Sequence, residues 1–201
     1  MSSPSGCGKT TVANILVRDR SNNIVRSVSI TTRLPRKGEV HGKDYFFVDE
    51  ERFKELCDKG EMLEHAEVFG NFYGVPRKCV EENSEKGLHT LLVIDWQGAF
   101  RLMEVMKEHV VSVFLIPPSM EELSRRLQGR SGEDSLFVGT RLREAAFEIG
   151  HCYEYDYVIV NEDAEETAKK ICHILSAEEM RTSRQVVLRE CIEKSFPGSL
   201  S

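Results

Sequence analysis

Ser3-Pro-Ser-Gly-Cys-Gly-Lys-Thr10 decides the architecture of this 201-residue chain. It meets the phosphate-loop spacing G-x-x-x-x-G-K-[ST] at every defined position except the first, where Ser3 replaces Gly. Gly6 and Gly8 let the backbone wrap so that successive N–H groups converge on an anion, and the helix that follows adds its positive end. Lys9 is spaced to reach the β- and γ-phosphates of a nucleotide, and the Thr10 hydroxyl to ligate Mg²⁺. A bare G-K-[ST] triplet arises by chance in roughly one chain of this length in ten, so an ordinary Gly-rich turn is the competing reading. What favours a phosphate loop is that Ser5-Gly6-Cys7-Gly8 runs straight into an amphipathic helix with Val12, Ile15 and Leu16 on one side.

Working outward, strands and helices alternate, the pattern of a parallel sheet covered by helices. A strand is expected over Ile24–Ile30, then a loop to Lys43, a strand at Tyr45–Val48, and a helix capped by Asp49 with Phe53, Leu56 and Cys57 inward. Gly70-Asn71 predicts a hairpin between Met62–Phe69 and Phe72–Val75. Pro76 suits the first turn of a helix that Gly87 stops. His89–Asp95 and Val111–Ile116 are almost wholly apolar, as strands buried on both faces are. Ser119-Met-Glu-Glu122 is a capping-box signal for a helix bearing Arg125 and Arg126. A polar stretch, Arg130–Ser135, is expected to be mobile and leads to a helix bearing Arg141 and Arg143. Tyr157–Val160 is a last strand, and the tail from Asp163 is helical with a break near Ser176. A phosphate loop ordinarily follows a buried strand, yet only Met1 and Ser2 precede this one. The expectation is that the first core strand is missing from this chain and that the natural start lies upstream.

The formal net charge is −6, with 40% apolar and 30% charged residues. That balance argues against a general nucleic-acid binder, which needs net positive surface to displace counterions. No apolar run approaches the 18 or so residues that cross a bilayer, and the N-terminus carries no secretory signal. Cys7, Cys57, Cys79, Cys152, Cys172 and Cys191 lie far apart and read as reduced thiols of a cytoplasmic chain. Two basic clusters, Arg33/Arg36/Lys37/Lys43 and Arg125/Arg126/Arg130/Arg141/Arg143, suggest a small polyanionic ligand.

Ser29-Ile-Thr-Thr-Arg-Leu-Pro-Arg-Lys-Gly-Glu-Val-His-Gly-Lys-Asp-Tyr-Phe-Phe-Val48 sets two guanidiniums three residues apart among hydroxyls and a tyrosine, on a chain bent by Pro35, Gly38 and Gly42. Such a set suits a phosphate dianion, which arginine grips with paired hydrogen bonds; a charged hairpin loop is the plain alternative. The stretch closely resembles the GMP-binding segment of guanylate kinases, and the resemblance extends from Ser3 to about Leu175.

That resemblance implies a three-layer P-loop α/β core (residues 1–30, 81–124 and 149–201), an antiparallel GMP-binding insert (31–80) and a helical lid (125–148). It implies transfer of the γ-phosphoryl group of ATP to GMP and dGMP, with Mg²⁺ as cofactor. Ser3, Pro4, Ser5, Gly6, Cys7, Gly8, Lys9, Thr10, Thr11, Arg130 and Asn161 would then line the ATP site. Arg33, Arg36, Tyr45 and Tyr73 would hold the GMP phosphate, Ser29 and Glu64 the guanine, and Asp95 would face the same nucleotide. Thr10, and Asp95 through water, would hold the metal; Lys9, Arg36, Arg130 and Arg141 would carry catalysis.

A carboxylate at Glu64 suits guanine because it accepts from both N1–H and the 2-amino group. Two positions depart from the family pattern: Val75, where Ser or Thr is common, and Val93, where Asp is. The partners implied are ATP and GMP, with no nucleic acid and no membrane, and a homodimer is a further candidate. A guanylate-kinase-like binding module is the rival from another class. Such modules typically lack the loop lysine or lid arginines that are present here. Residues 176–201 are expected to form an amphipathic helix packed on the core.

Overall fold

The computed structural model describes residues 1–68, 70–131 and 135–196, and for residues 130, 131, 135–137, 186, 189, 190 and 193 the backbone alone. In chain order the elements are α1 (Lys9–Arg18), β1 (Ile24–Arg26), β2 (Ile30–Thr31), β3 (Phe46–Phe47), α2 (Glu50–Asp58), β4 (Met62–Val68), β5 (Asn71–Pro76) and α3 (Arg77–Glu85). There follow β6 (His89–Leu91), α4 (Trp96–Met106), β7 (Val113–Ile116), α5 (Met120–Ser131), α6 (Ser135–Gly150), β8 (Tyr157–Val160), α7 (Ala164–Glu179) and α8 (Val186–Ser195). No helix among the described residues is long and apolar enough to cross a membrane.

The core is an α/β sandwich. β1 pairs parallel with β6, and β7 parallel with β8. Side chains alternate across a strand, and β7 uses both faces. Val113 and Leu115 join Val12, Leu16, Ile159 and Ile171 against α1 and α7, while Phe114 joins Ala99, Cys152 and Tyr155 on the α4 side. That two-sided burial is why β7 is apolar throughout.

Among the described residues, Met1 and Ser2 lie between the two strand pairs. The Ser2 N–H donates to Val113 O at 2.9 Å and its carbonyl accepts from Leu115 N–H at 2.8 Å. On the other side the Met1 nitrogen donates to Leu92 O at 2.9 Å. Beyond them a cavity of about 590 Å³ opens, lined by Leu16, Leu91, Leu102, Val113 and Ile171 among others. The strand expected over His89–Asp95 therefore ends at Leu91, because past that point its backbone is met by Met1 rather than by a longer strand.

The strand expected over Ile24–Ile30 is likewise two strands. β1 stays in the core, whereas β2 belongs to a second sheet of order β3-β2-β5-β4. That insert is antiparallel between β2 and β5 and between β5 and β4, but parallel between β2 and β3, so the wholly antiparallel expectation is corrected at one pair. Phe53 and Leu56 of α2 pack with Ile30 and Met62 beneath it, and Phe53 stacks on Phe72 at 5.5 Å. The Asp49 cap forms as expected, accepting from Arg52 N–H at 2.7 Å.

α5 and α6 form the arm. The Ser119 hydroxyl accepts from Glu122 N–H at 3.2 Å, but the Glu122 carboxylate turns to Arg125 and Arg126 rather than closing the expected box. The expected mobile stretch is helical up to Ser131 and again from Ser135; its middle, residues 132–134, lies outside the described residues. α7 passes through Ser176 without a break. Ala177, Glu178 and Glu179 are good helix formers, and the helix closes only at Met180.

Candidate active site

The phosphate loop is shaped by its glycines. Gly6 (φ 88°) and Gly8 (φ 84°) both occupy the left-handed region that side chains disfavour. Space is short as well: a Cβ at Gly8 would come within 2.6 Å of Asn161 Nδ2, and one at Gly6 within 2.9 Å of Leu127. Cys7, between them, points inward and packs with Leu123, Leu127, Val138 and Ala145, so the loop is plugged into the arm. Burial pushes its thiol up to about 12.

Asn161, expected to line the adenine site, braces this loop. Its Nδ2 donates to Cys7 O at 2.6 Å, its Oδ1 accepts from the Thr167 hydroxyl at 2.8 Å, and its own N–H donates to Ile116 O. Both ends of the amide are thereby spent inside the protein. Ser3 is buried, while Ser5, Thr10 and Thr11 are exposed at the loop and the start of α1. Lys9 folds back so that Nζ donates to Ser3 O at 2.8 Å. Burial holds its ammonium below the usual lysine range, opposed by the charges of Glu148 and Asp95.

Arg141 reaches the same loop from α6, donating to Ser5 Oγ at 3.3 Å. The side chain of Arg130 lies outside the described residues. Asp95 ends the extended segment after β6 and caps α4, its Oδ1 accepting from Gly98 N–H at 2.9 Å.

The insert gathers the second set. Arg33 donates to both carboxylate oxygens of Glu39, at 2.9 and 3.0 Å, and its guanidinium lies 5.4 Å from the Tyr45 ring. Tyr45 in turn meets Tyr73 edge-on at 6.1 Å. Glu39 also accepts from the Arg36 N–H at 2.7 Å, leaving the Arg36 side chain exposed. Ser29 stands at the crossing from core to insert, its carbonyl accepting from Phe46 N–H.

Glu64, on β4, is 7% exposed and its Oε2 has no hydrogen-bond partner. Burial pushes this carboxyl up to about 7; Asp95 adds to the rise and Arg101 opposes it. Val75 pairs with Glu64 across the hairpin and is fully buried, packed with Leu63 and Leu102. A hydroxyl there would face an apolar contact.

Sequence reasoning missed Glu39 and Glu148. Glu39 is the lone acid in a basic run, which is itself a signal that it answers the arginines. Glu148 on α6 had no local signal; only the fold brings it near Lys9, where burial pushes its carboxyl up to about 6 against the pull of that ammonium.

The model of the guanylate kinase family matches residues 1–178. The chain belongs to the guanylate kinase family. A guanylate kinase of Anaplasma phagocytophilum (strain HZ) is 68% identical over 197 residues, covering 98% of this chain and 94% of that one. One from Ehrlichia chaffeensis (strain Arkansas) is 55% identical over 193 residues, covering 96% and 92%. The crystal structure of guanylate kinase from Anaplasma phagocytophilum aligns with a TM-score of 0.82 at 61% identity, over 98% of this chain and 93% of its own.

Proposed function

We propose that this chain transfers the γ-phosphoryl group of ATP to GMP, and to dGMP, giving ADP and GDP in the cytoplasm. The observation that carries the reading is the position of Asp95. It caps α4 at Gly98, where a Cβ would stand 3.0 Å from Glu64 Oε2, and its carbonyl accepts from the hydroxyl of Ser2, next to the phosphate loop, at 3.4 Å. That position supports a reading in which the nucleotide on the loop and the base at Glu64 meet.

Phosphoryl transfer asks little covalent help of a protein; positioning and neutralisation of charge do most of it. Lys9, Arg130 and Arg141 neutralise charge spreading onto the γ-phosphoryl oxygens, and the loop N–H groups hold the β-phosphate. Arg33, Arg36, Tyr45 and Tyr73 grip the GMP phosphate and aim it; Ser29 and Glu64 fix the guanine. Because the acceptor is already an anion, no general base is needed. Thr10 and Asp95 make an all-oxygen donor set of one hydroxyl and one carboxylate, which suits Mg²⁺, an ion that keeps waters and substrate phosphates as its other ligands. When bound there, Mg²⁺ supplies charge neutralisation on the phosphates. Asn161 contributes by holding the loop rather than by touching the base. The core (1–30, 81–124, 149–201), insert (31–80) and arm (125–148) act as three bodies, the last two excluding water from the reacting groups.

The function itself is tested by ATP consumption with GMP, dGMP, AMP and UMP. Turnover is expected with the two guanine nucleotides only; equal use of AMP would overturn the reading.

A further inference from the structure

Gly98 is a glycine without a backbone reason to be one. It is the third residue of α4, its φ is not in the left-handed region, and its N–H makes an ordinary capping bond to Asp95. At such a position glycine costs roughly 0.5–1 kcal/mol relative to alanine. The space beside it explains the choice. A Cβ there would stand 3.0 Å from Glu64 Oε2, 3.1 Å from Oε1 and 3.2 Å from Cδ.

The missing side chain thus leaves room for the whole Glu64 carboxyl group, with both oxygens about equally close to the first turn of α4. That turn is the positive end of the helix, which favours a carboxylate against it. Glu64 has little freedom to retreat. It is buried on β4, held in register opposite Val75, which is itself fully buried.

We propose that Gly98 is a specificity-determining positioning residue, whose lack of a side chain seats the Glu64 carboxylate where both its oxygens can serve the guanine edge. The inference rests on the reading of Glu64 as the guanine acceptor. A methyl group at 98 moves the carboxylate by several tenths of an ångström, and paired hydrogen bonds to N1–H and the 2-amino group do not survive such a shift equally. Guanine, which uses both, loses more than hypoxanthine, which lacks the 2-amino group. Asp95 keeps its cap, because alanine retains the N–H.

The test is steady-state kinetics of Gly98→Ala with GMP and IMP, alone and in combination with Glu64→Ala. In Gly98→Ala the KM for GMP should rise about tenfold and the preference for GMP over IMP should narrow, a change expected where a site built to pair polar groups loses one. The KM for ATP should stay at the parent value and kcat should change far less than KM. Thermal stability should stay near the parent value, the better helix propensity of alanine offsetting its crowding of Glu64.

In the Glu64→Ala background the same change at 98 should add nothing, because the group it displaces is gone. Parent-like GMP kinetics in Gly98→Ala, or an equal effect with and without Glu64, overturns the role of Gly98. Parent-like GMP kinetics in Glu64→Ala alone overturns the reading of Glu64 itself, and the inference with it.

Discussion

Asn161 and Cys7 are 154 residues apart in the chain, and the Asn161 side chain donates to the Cys7 carbonyl at 2.6 Å. This bond, with the Thr167 hydroxyl behind it, ties the phosphate loop to the strand end of β8. Replacing Asn161 with alanine strands a buried carbonyl and a buried hydroxyl. A loss of about 1–3 kcal/mol is expected, read as a lower urea midpoint. The KM for ATP should rise with it, because the loop loses its support.

Arg36 meets Glu39 through its backbone, its N–H donating to the carboxylate and its carbonyl accepting from Glu39 N–H, and its guanidinium is exposed. Arg36→Ala should therefore leave the fold intact while removing one charge-assisted grip on the GMP phosphate. Such a grip is worth about 1.5–3 kcal/mol, so the KM for GMP should rise roughly 10- to 100-fold. Isothermal titration with ATP should give a near-parent Kd. Unchanged GMP kinetics would remove Arg36 from the site.

Lys9 separates catalysis from stability. Its ammonium is held in a buried setting that disfavours the charged form. Lys9→Met keeps the length and removes the charge, so the melting temperature should not fall. The rate should fall about 10²- to 10³-fold, the usual effect of deleting one donor aimed at developing charge. A variant that loses stability but keeps kcat would contradict both halves.

Glu64 predicts a pH dependence of definite sign. Its folded carboxyl titrates at about 7, raised from an ordinary value of 4.5. A raised acid holds its proton more tightly folded than unfolded. Its contribution to stability is therefore complete below pH 4.5 and lost as pH rises through about 7. Glu64→Gln should flatten that part of the stability profile of the ligand-free protein. Guanine needs the carboxylate, so GMP affinity should move the other way, strengthening across the same window. A parent and a variant with the same slope would show that another group titrates there.

Local patterns were legible where a local rule was decisive. α1 follows from the glycines and the apolar spacing behind them, α2 from its Asp49 cap, and the β4–β5 hairpin from Gly70. β7 and β8 announce themselves by unbroken apolar runs. What stayed hidden depends on distant partners. Ile24–Ile30 reads as one strand because nothing within it says that β1 will pair with His89–Leu91 and β2 with Tyr73 and Gly74.

Among the candidate site residues, Lys9, Asp95, Arg33 and Arg141 could be named because their residue types suit anions and metals directly. Asn161 could be named but not understood, since its two partners lie 154 and 6 residues away and only the fold shows that both are engaged. Gly98 was invisible, because its meaning is a distance to Glu64.

The inward turn of Cys7 has a chemical consequence for the loop. Only a thiolate is a fast nucleophile toward alkylating agents and peroxide, and Cys7 is 0% exposed with its proton held up to about 12. A sulfur at the centre of a nucleotide-binding loop is thus shielded from redox damage, while Cys191 stands exposed. Mass spectrometry after brief iodoacetamide treatment should find the label on Cys191 and none on Cys7, with turnover preserved.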